Sequence, residues 1–147
     1  MEKKLTFIFD SISGNECFAR NVVASFCLSL NPSVDEIIDI KTAVSEAVTN
    51  AIVHAYPSQV GKVKIDVTLK NNIVYISVKD NGVGIECISK AVEPFYTTKA
   101  DEERTGMGFT VMESFMDNVR VRNNSKKGIT VYMSKRINGN FECETIS

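Results

Sequence analysis

Apolar positions along the chain switch between two periods, and the switches mark its elements. Leu5-Thr6-Phe7-Ile8-Phe9 alternates like a half-buried strand. Ser13-Gly14-Asn15-Glu16 then reads as a capping box, in which a hydroxyl and a carboxylate each satisfy a backbone N–H of the other residue. It predicts a helix with Phe18, Val22 and Phe26 on one face, ending near Asn31-Pro32. A second such box, Ser33-Val34-Asp35-Glu36, opens the longest helix, whose Ile37, Ile40, Val44, Ala47, Ala51 and Ala55 recur at helical spacing until Tyr56-Pro57 stops it. Val63, Ile65, Val67 and Leu69 alternate with Lys64, Asp66 and Thr68, and past Lys70-Asn71-Asn72 the run from Ile73 to Val78 completes a hairpin. A glycine-rich turn from Asp80 to Gly84 leads to a short helical piece and an irregular segment. A helix beginning near Gly106 follows, carrying Phe109, Met112, Phe115 and Met116, and strands over Asn118–Arg122 and Ile129–Arg136 close the chain. The order β-α-α-β-β-α-β-β predicts an α+β fold, a two-layer sandwich of helices on a mixed, mostly antiparallel sheet.

Composition narrows what such a fold is for. With 147 residues, 44% of them hydrophobic, the chain can bury one core, so a single domain over residues 1–147 is expected. Lys and Arg total 17 against 18 Asp and Glu, which supplies no general field for direct nucleic-acid binding. Met1-Glu2-Lys3-Lys4 leads into a strand rather than a signal core, and no apolar run approaches the roughly 20 residues of a membrane span. A soluble, cytoplasmic protein with no membrane partner is expected. Its four cysteines show no paired spacing and His54 is the sole histidine, a pattern of reduced thiols rather than of a zinc site.

Three polar clusters interrupt the apolar pattern. Glu46, Asn50 and His54 stand four residues apart on the long helix and share a stripe. A stripe of that kind is ordinarily a solvated face, but this one lies in a stretch poor in charge. The Asn50 carboxamide is a suitable hard oxygen ligand for magnesium, and Glu46, one turn earlier, is placed to take the proton of an attacking hydroxyl. Asp80-Asn81-Gly82-Val83-Gly84 follows a strand. It reads first as a tight turn, yet a carboxylate at a strand end can accept the adenine amine while glycines let backbone approach the base. Thr105-Gly106-Met107-Gly108-Phe109 opens a helix, where backbone N–H groups and the positive dipole end suit a phosphate. Between the last two clusters, Glu93 to Arg104 is a polar stretch without a clean period, the composition of a lid, with Lys99 and Arg104 able to balance phosphate charge.

Taken in order, these clusters resemble the GHKL superfamily of ATPases and kinases, with its Bergerat ATP-binding fold. Glu46-x-x-x-Asn50 is similar to its N box, Asp80-x-Gly82-x-Gly84 to its first glycine box and Gly106-x-Gly108 to its second. Asn15-Glu16-x-Phe18-Ala19-Arg20, the run from Val44 to Ile52, Phe95-x-Thr97-Thr98-Lys99 and Gly106-Met107-Gly108-Phe109-Thr110 are closer still to the anti-sigma-F serine kinases. The likeness runs from about Leu5 to Lys135. It implies ATP and magnesium as cofactors, Glu46 as general base, Asn50 as magnesium ligand, Asp80 as adenine reader and Arg104 as the charge on the transferred phosphate. It also implies nucleotide contacts from Thr97, Thr98, Lys99, Thr105, Met107 and Thr130, and a partner-binding Arg20, which would otherwise read as a solvated charge. Its implied partners are a sporulation sigma factor, an anti-anti-sigma protein phosphorylated on serine and a second copy of the chain. One departure stands out: Gly128-Ile129-Thr130 replaces the usual Gly-Thr-Thr, removing a hydroxyl expected near the adenine. Two alternatives share the nucleotide residues, an anti-sigma kinase of the stress-response branch and an ATP-holding module without phosphotransfer; a histidine kinase catalytic domain is a third, against which stands the lack of an acceptor-histidine region.

Overall fold

The structure, a computed structural model, describes residues 2–82 and 108–139. Five strands, β1 (Lys3–Asp10), β2 (Lys62–Lys70), β3 (Ile73–Asp80), β4 (Asn118–Asn123) and β5 (Ile129–Arg136), form one sheet in the order β1-β2-β3-β5-β4. All four pairings are antiparallel, so among the described residues the sheet has none of the mixed character expected of it. The β2–β3 hairpin closes through Asn71 and Asn72, at φ 53° and 61°. Asparagine tolerates this left-handed pair, whose twist matches that of the strands.

Helices α1 (Asn15–Cys27), α2 (Val34–Asn50) and α3 (Gly108–Phe115) bury their apolar faces in one core with the inward residues of the sheet. Val63, Ile65, Val67 and Leu69 of β2 are all buried, as are Ile40, Val44 and Val48 of α2 and Phe109 and Met112 of α3. Each such side chain removed from water is worth about 1.5–3 kcal/mol, and together they hold the helices to the sheet.

The two helix starts differ from each other. Ser33 and Glu36 form the expected box at α2: the Glu36 N–H donates to Ser33 Oγ at 3.1 Å, and the Ser33 N–H to Glu36 Oε1 at 2.9 Å. At α1 the box expected from Ser13 is replaced by half of one. Gly14, at φ 103°, is the N-cap and has no side chain to offer, while its N–H donates to both Glu16 oxygens at 3.1 and 3.0 Å. The buried face of α1 also differs from the aromatic stripe. Ala19, Val23, Ala24 and Cys27 turn inward, and Phe18 stays 54% exposed with its ring edge-on to Phe7 of β1. Small side chains let α1 approach α2 closely, which a phenylalanine stripe would prevent. Burial pushes the Cys27 thiol up to about 12.

The long helix does not run on to Tyr56 in one form. After Asn50 it loosens into a π-helical turn over Ala51–Ala55, a device that recurs at functional sites because it re-aims the neighbouring side chains.

Candidate functional site

The C-terminal end of α2 meets the end of β3 and the start of α3 through close approaches at glycines. A Cβ on Gly82 would lie 2.0 Å from the Ala55 carbonyl oxygen, in the π turn. One on Gly108 would lie 2.6 Å from Asn50 Nδ2, and one on Gly128, which sits at φ 84°, would lie 2.1 Å from the Asp80 carbonyl oxygen. Three glycines thus bring Asn50, Ala55 and Asp80 into one neighbourhood. Tyr56 pins the same corner, its hydroxyl accepting from the Asn81 N–H at 2.7 Å and donating to the Lys62 carbonyl at 2.8 Å.

Asp80 is 3% exposed, and its Oδ1 accepts the Gly82 N–H at 3.0 Å and the Ile129 N–H at 3.3 Å. Two backbone donors fix how this buried carboxylate is turned. Asn124 Nδ2 donates to the Asp80 carbonyl at 2.9 Å, and Asn124 Oδ1 accepts the Thr130 hydroxyl at 2.7 Å. Thr130 therefore joins the Asp80 network through Asn124. Ile129, 2% exposed, fills the position where a hydroxyl was expected and contributes its backbone N–H. Asn124 and Tyr56 were not among the residues singled out from sequence. Asn123-Asn124-Ser125 reads as a turn, and nothing local shows that it folds back on β3.

Asn50 is buried, and its Nδ2 has no hydrogen-bond partner among the described residues. An orphaned buried donor costs about 1–3 kcal/mol, a burden a fold carries where something else is to accept it. The donor set fits a metal-held phosphate: Oδ1 offers a hard oxygen ligand and Nδ2 a donor, and the amide packs directly against Gly108 at the start of α3. Among the described residues no group of three acidic, cysteine or histidine side chains gathers to cage a metal.

Glu46, one turn before Asn50, is half-buried and lines a groove of about 370 Å³ with Arg20, Ile38, Lys41, Thr42 and Ser45. Arg20 is held there from α1, Nη1 donating to Ser45 Oγ and Nη2 to Cys17 Sγ, both at 3.3 Å. The structure thus brings the predicted partner arginine beside the predicted base. Gly84, Thr97, Thr98, Lys99, Arg104, Thr105, Gly106 and Met107 lie outside the described residues, as do the expected short helical piece and lid. No helix among the described residues is long and apolar enough to cross a membrane.

A helical sheet cover, a buried aspartate at a strand end and an amide facing a glycine helix start together define an ATP-binding domain of the GHKL class. Residues 17–135 match the histidine kinase-like ATPase domain family. Among solved structures, the RsbU and RsbW domains of a Mycobacterium tuberculosis protein align over 92% of this chain and 32% of theirs, with TM-score 0.66 and 20% identity. The catalytic domain of the histidine kinase ThkA aligns over 88% of this chain and 97% of its own, with TM-score 0.58 and 19% identity. At that identity these two speak for the fold alone. Sequence relatives are closer: an anti-sigma F factor of Clostridium botulinum is 51% identical over 93% of this chain and 96% of its own length. One of Bacillus subtilis is 46% identical over 93% and 94%. The chain belongs to the anti-sigma F factor family, within the histidine kinase-like ATPases, and its chemistry is ATP use of the kinase type.

Proposed function

We propose that this chain uses ATP to phosphorylate a serine of an anti-anti-sigma protein and that, in the same nucleotide-bound form, it holds a sporulation sigma factor inactive. It acts in the cytoplasm as a homodimer, with residues 1–147 as one catalytic unit. The family supports the two partners, and the observation that carries the catalytic half is the buried, unpartnered Asn50 amide beside Gly108 with Glu46 one turn away. Asp80 would accept the adenine amine, its direction set by the Gly82 and Ile129 N–H groups. Asn50 would hold magnesium through Oδ1, and that ion would supply neutralising charge to the phosphates. The helix start at Gly106 to Gly108, with Thr105 and Met107, would cradle the phosphates, and Thr97, Thr98 and Lys99 would close over them.

In the transfer step the serine oxygen bonds to the γ-phosphorus as the bond to the bridging oxygen of ADP breaks. Glu46 takes the hydroxyl proton, and Arg104 balances the charge gathering on the transferred group. Arg20, on the rim of the groove that Glu46 lines, is placed to engage the incoming protein, so recognition and proton removal share one surface. The test is phosphotransfer to a purified anti-anti-sigma protein with ATP and magnesium. Glu46→Gln should slow it about 10²- to 10⁴-fold and leave nucleotide affinity within a few-fold. An unchanged rate in that variant would remove Glu46 as base, and nucleotide binding without any transfer by the native chain would leave a binding module.

A further inference from the structure

The sheet has a second face that the nucleotide site does not use. Strand register places Lys64, Lys79 and Arg122 in one outward row at the end nearer Asp80. Lys70 and Arg136 mark the opposite end, with Lys4 and Arg120 beside the middle rows. All seven are exposed, and none has an ion-pair partner among the described residues. Among the described strand residues the acids on this face are Asp10, paired with Lys62, and Asp66, which accepts the Thr6 hydroxyl, while Asp117, just before β4, accepts the Arg136 N–H. The described helices have the opposite balance, with Glu16, Asp35, Glu36, Asp39, Glu46 and Glu113 against Arg20 and Lys41. The described residues therefore sort their charge by face.

Between the two cationic ends runs a band of hydroxyl and aromatic side chains. Tyr75 and Tyr132, on the adjacent strands β3 and β5, are 43% and 44% exposed and flank a hollow of about 430 Å³ with Asp66, Thr68, Ser77 and Arg120. Half-exposed tyrosines around a hollow, rimmed by cations with no ion-pair partner among the described residues, have the anatomy of a protein interface before its partner arrives. We propose that this open face docks an acidic segment of a partner protein, an apolar side chain entering the hollow while flanking carboxylates reach the two cationic ends. Asp66 decides between a protein and a nucleic acid as the polyanion. A peptide can set a neutral residue against it, whereas a phosphodiester chain carries a charge at every step and would be repelled where the tyrosines would have to stack its bases. The near-neutral chain as a whole also lacks the overall basicity of nucleic-acid binders.

The probes are a fluorescein-labelled acidic peptide with one central phenylalanine flanked by glutamates, and oligouridylate of equal length, each titrated into the full chain at low salt. The peptide should bind, weaken steeply with added salt and shift amide resonances of β3, β4 and β5, with or without ATP. Arg120→Glu/Arg136→Glu should lower its affinity at least about tenfold while ATP binding, the check on folding, is kept. Lys126→Glu/Lys127→Glu, in the turn between β4 and β5, should leave it within about twofold. Tighter binding of oligouridylate than of the peptide would overturn the assignment in favour of nucleic acid. Salt-sensitive self-association abolished by the same double charge reversal would overturn it in favour of a second copy, and no binding of either probe would leave no docking face. Because the readout does not involve the γ-phosphate, it stands or falls separately from the kinase reading.

Discussion

At the N-terminus of α2 the Ser33 hydroxyl, the Glu36 carboxylate and the N–H groups of Asn138 and Gly139 answer one another, the last two donating to Glu36 at 2.7 and 3.2 Å. At the other end the Asn50 amide nitrogen is buried with no partner among the described residues, the winding slackens, and Gly108 and Gly82 crowd against the Asn50 side chain and the Ala55 carbonyl. One helix thus carries a closed end, where the groups that fix the fold are matched, and an open end, where a polar group is held ready at a cost. A polar residue at a helix terminus is thus matched at the first end and left without a partner among the described residues at the second.

The sharpest way to break that contrast is Asn50→Ala. It should reduce magnesium-dependent phosphotransfer more than about a hundredfold, while thermal unfolding shows stability unchanged or raised by about 1 kcal/mol, since an unsatisfied donor is removed. A fall in stability of several kcal/mol would instead make Asn50 a structural residue. Gly128→Ala should cost about 2–4 kcal/mol by denaturant titration, because it places a side chain at a positive φ and against the Asp80 carbonyl. At the closed end, Ser33→Ala should cost about 1 kcal/mol and leave ATP affinity as it was, measured by calorimetry.

The smallest effect is one of pH. Partial burial acts to raise the Glu36 carboxyl, but the backbone N–H groups of Ser33, Asn138 and Gly139 and the Ser33 hydroxyl outweigh it and hold the group below its ordinary 4.5. Its contribution is therefore full above that value and is lost as pH falls through the lowered one. Thermal melts of the native chain and Glu36→Gln should converge as the solution is acidified below about 4.5; a gap constant down to the acid limit would show that ionisation of Glu36 contributes nothing.

The sequence made these two ends unequally visible. The Ser33–Glu36 box is a local pattern and appeared as predicted, as did the β2–β3 hairpin, where alternation and the paired asparagines agree. Asp80 and Asn50 could be picked out because their neighbours follow a known order, and each is indeed buried beside a glycine of that pattern. The inward face of α1 was hidden by size. Phe18, Val22 and Phe26 make the stronger apolar stripe, while Ala19, Val23, Ala24 and Cys27 are the residues buried. Asn124 could not be read at all, because its bond to the Asp80 carbonyl spans 44 residues and no period records it.

The two described cysteines have opposite fates that follow from where α1 turns them. Cys27, sealed in the core with its thiol raised to about 12, has almost no thiolate at neutral pH, whereas Cys17 stands in solvent one turn from Arg20. With Cys87 and Cys143 exchanged for serine, a maleimide dye would mark Cys17 alone. The dye would sit at the rim of the Glu46 groove, an optical gauge of each protein that arrives there and leaves.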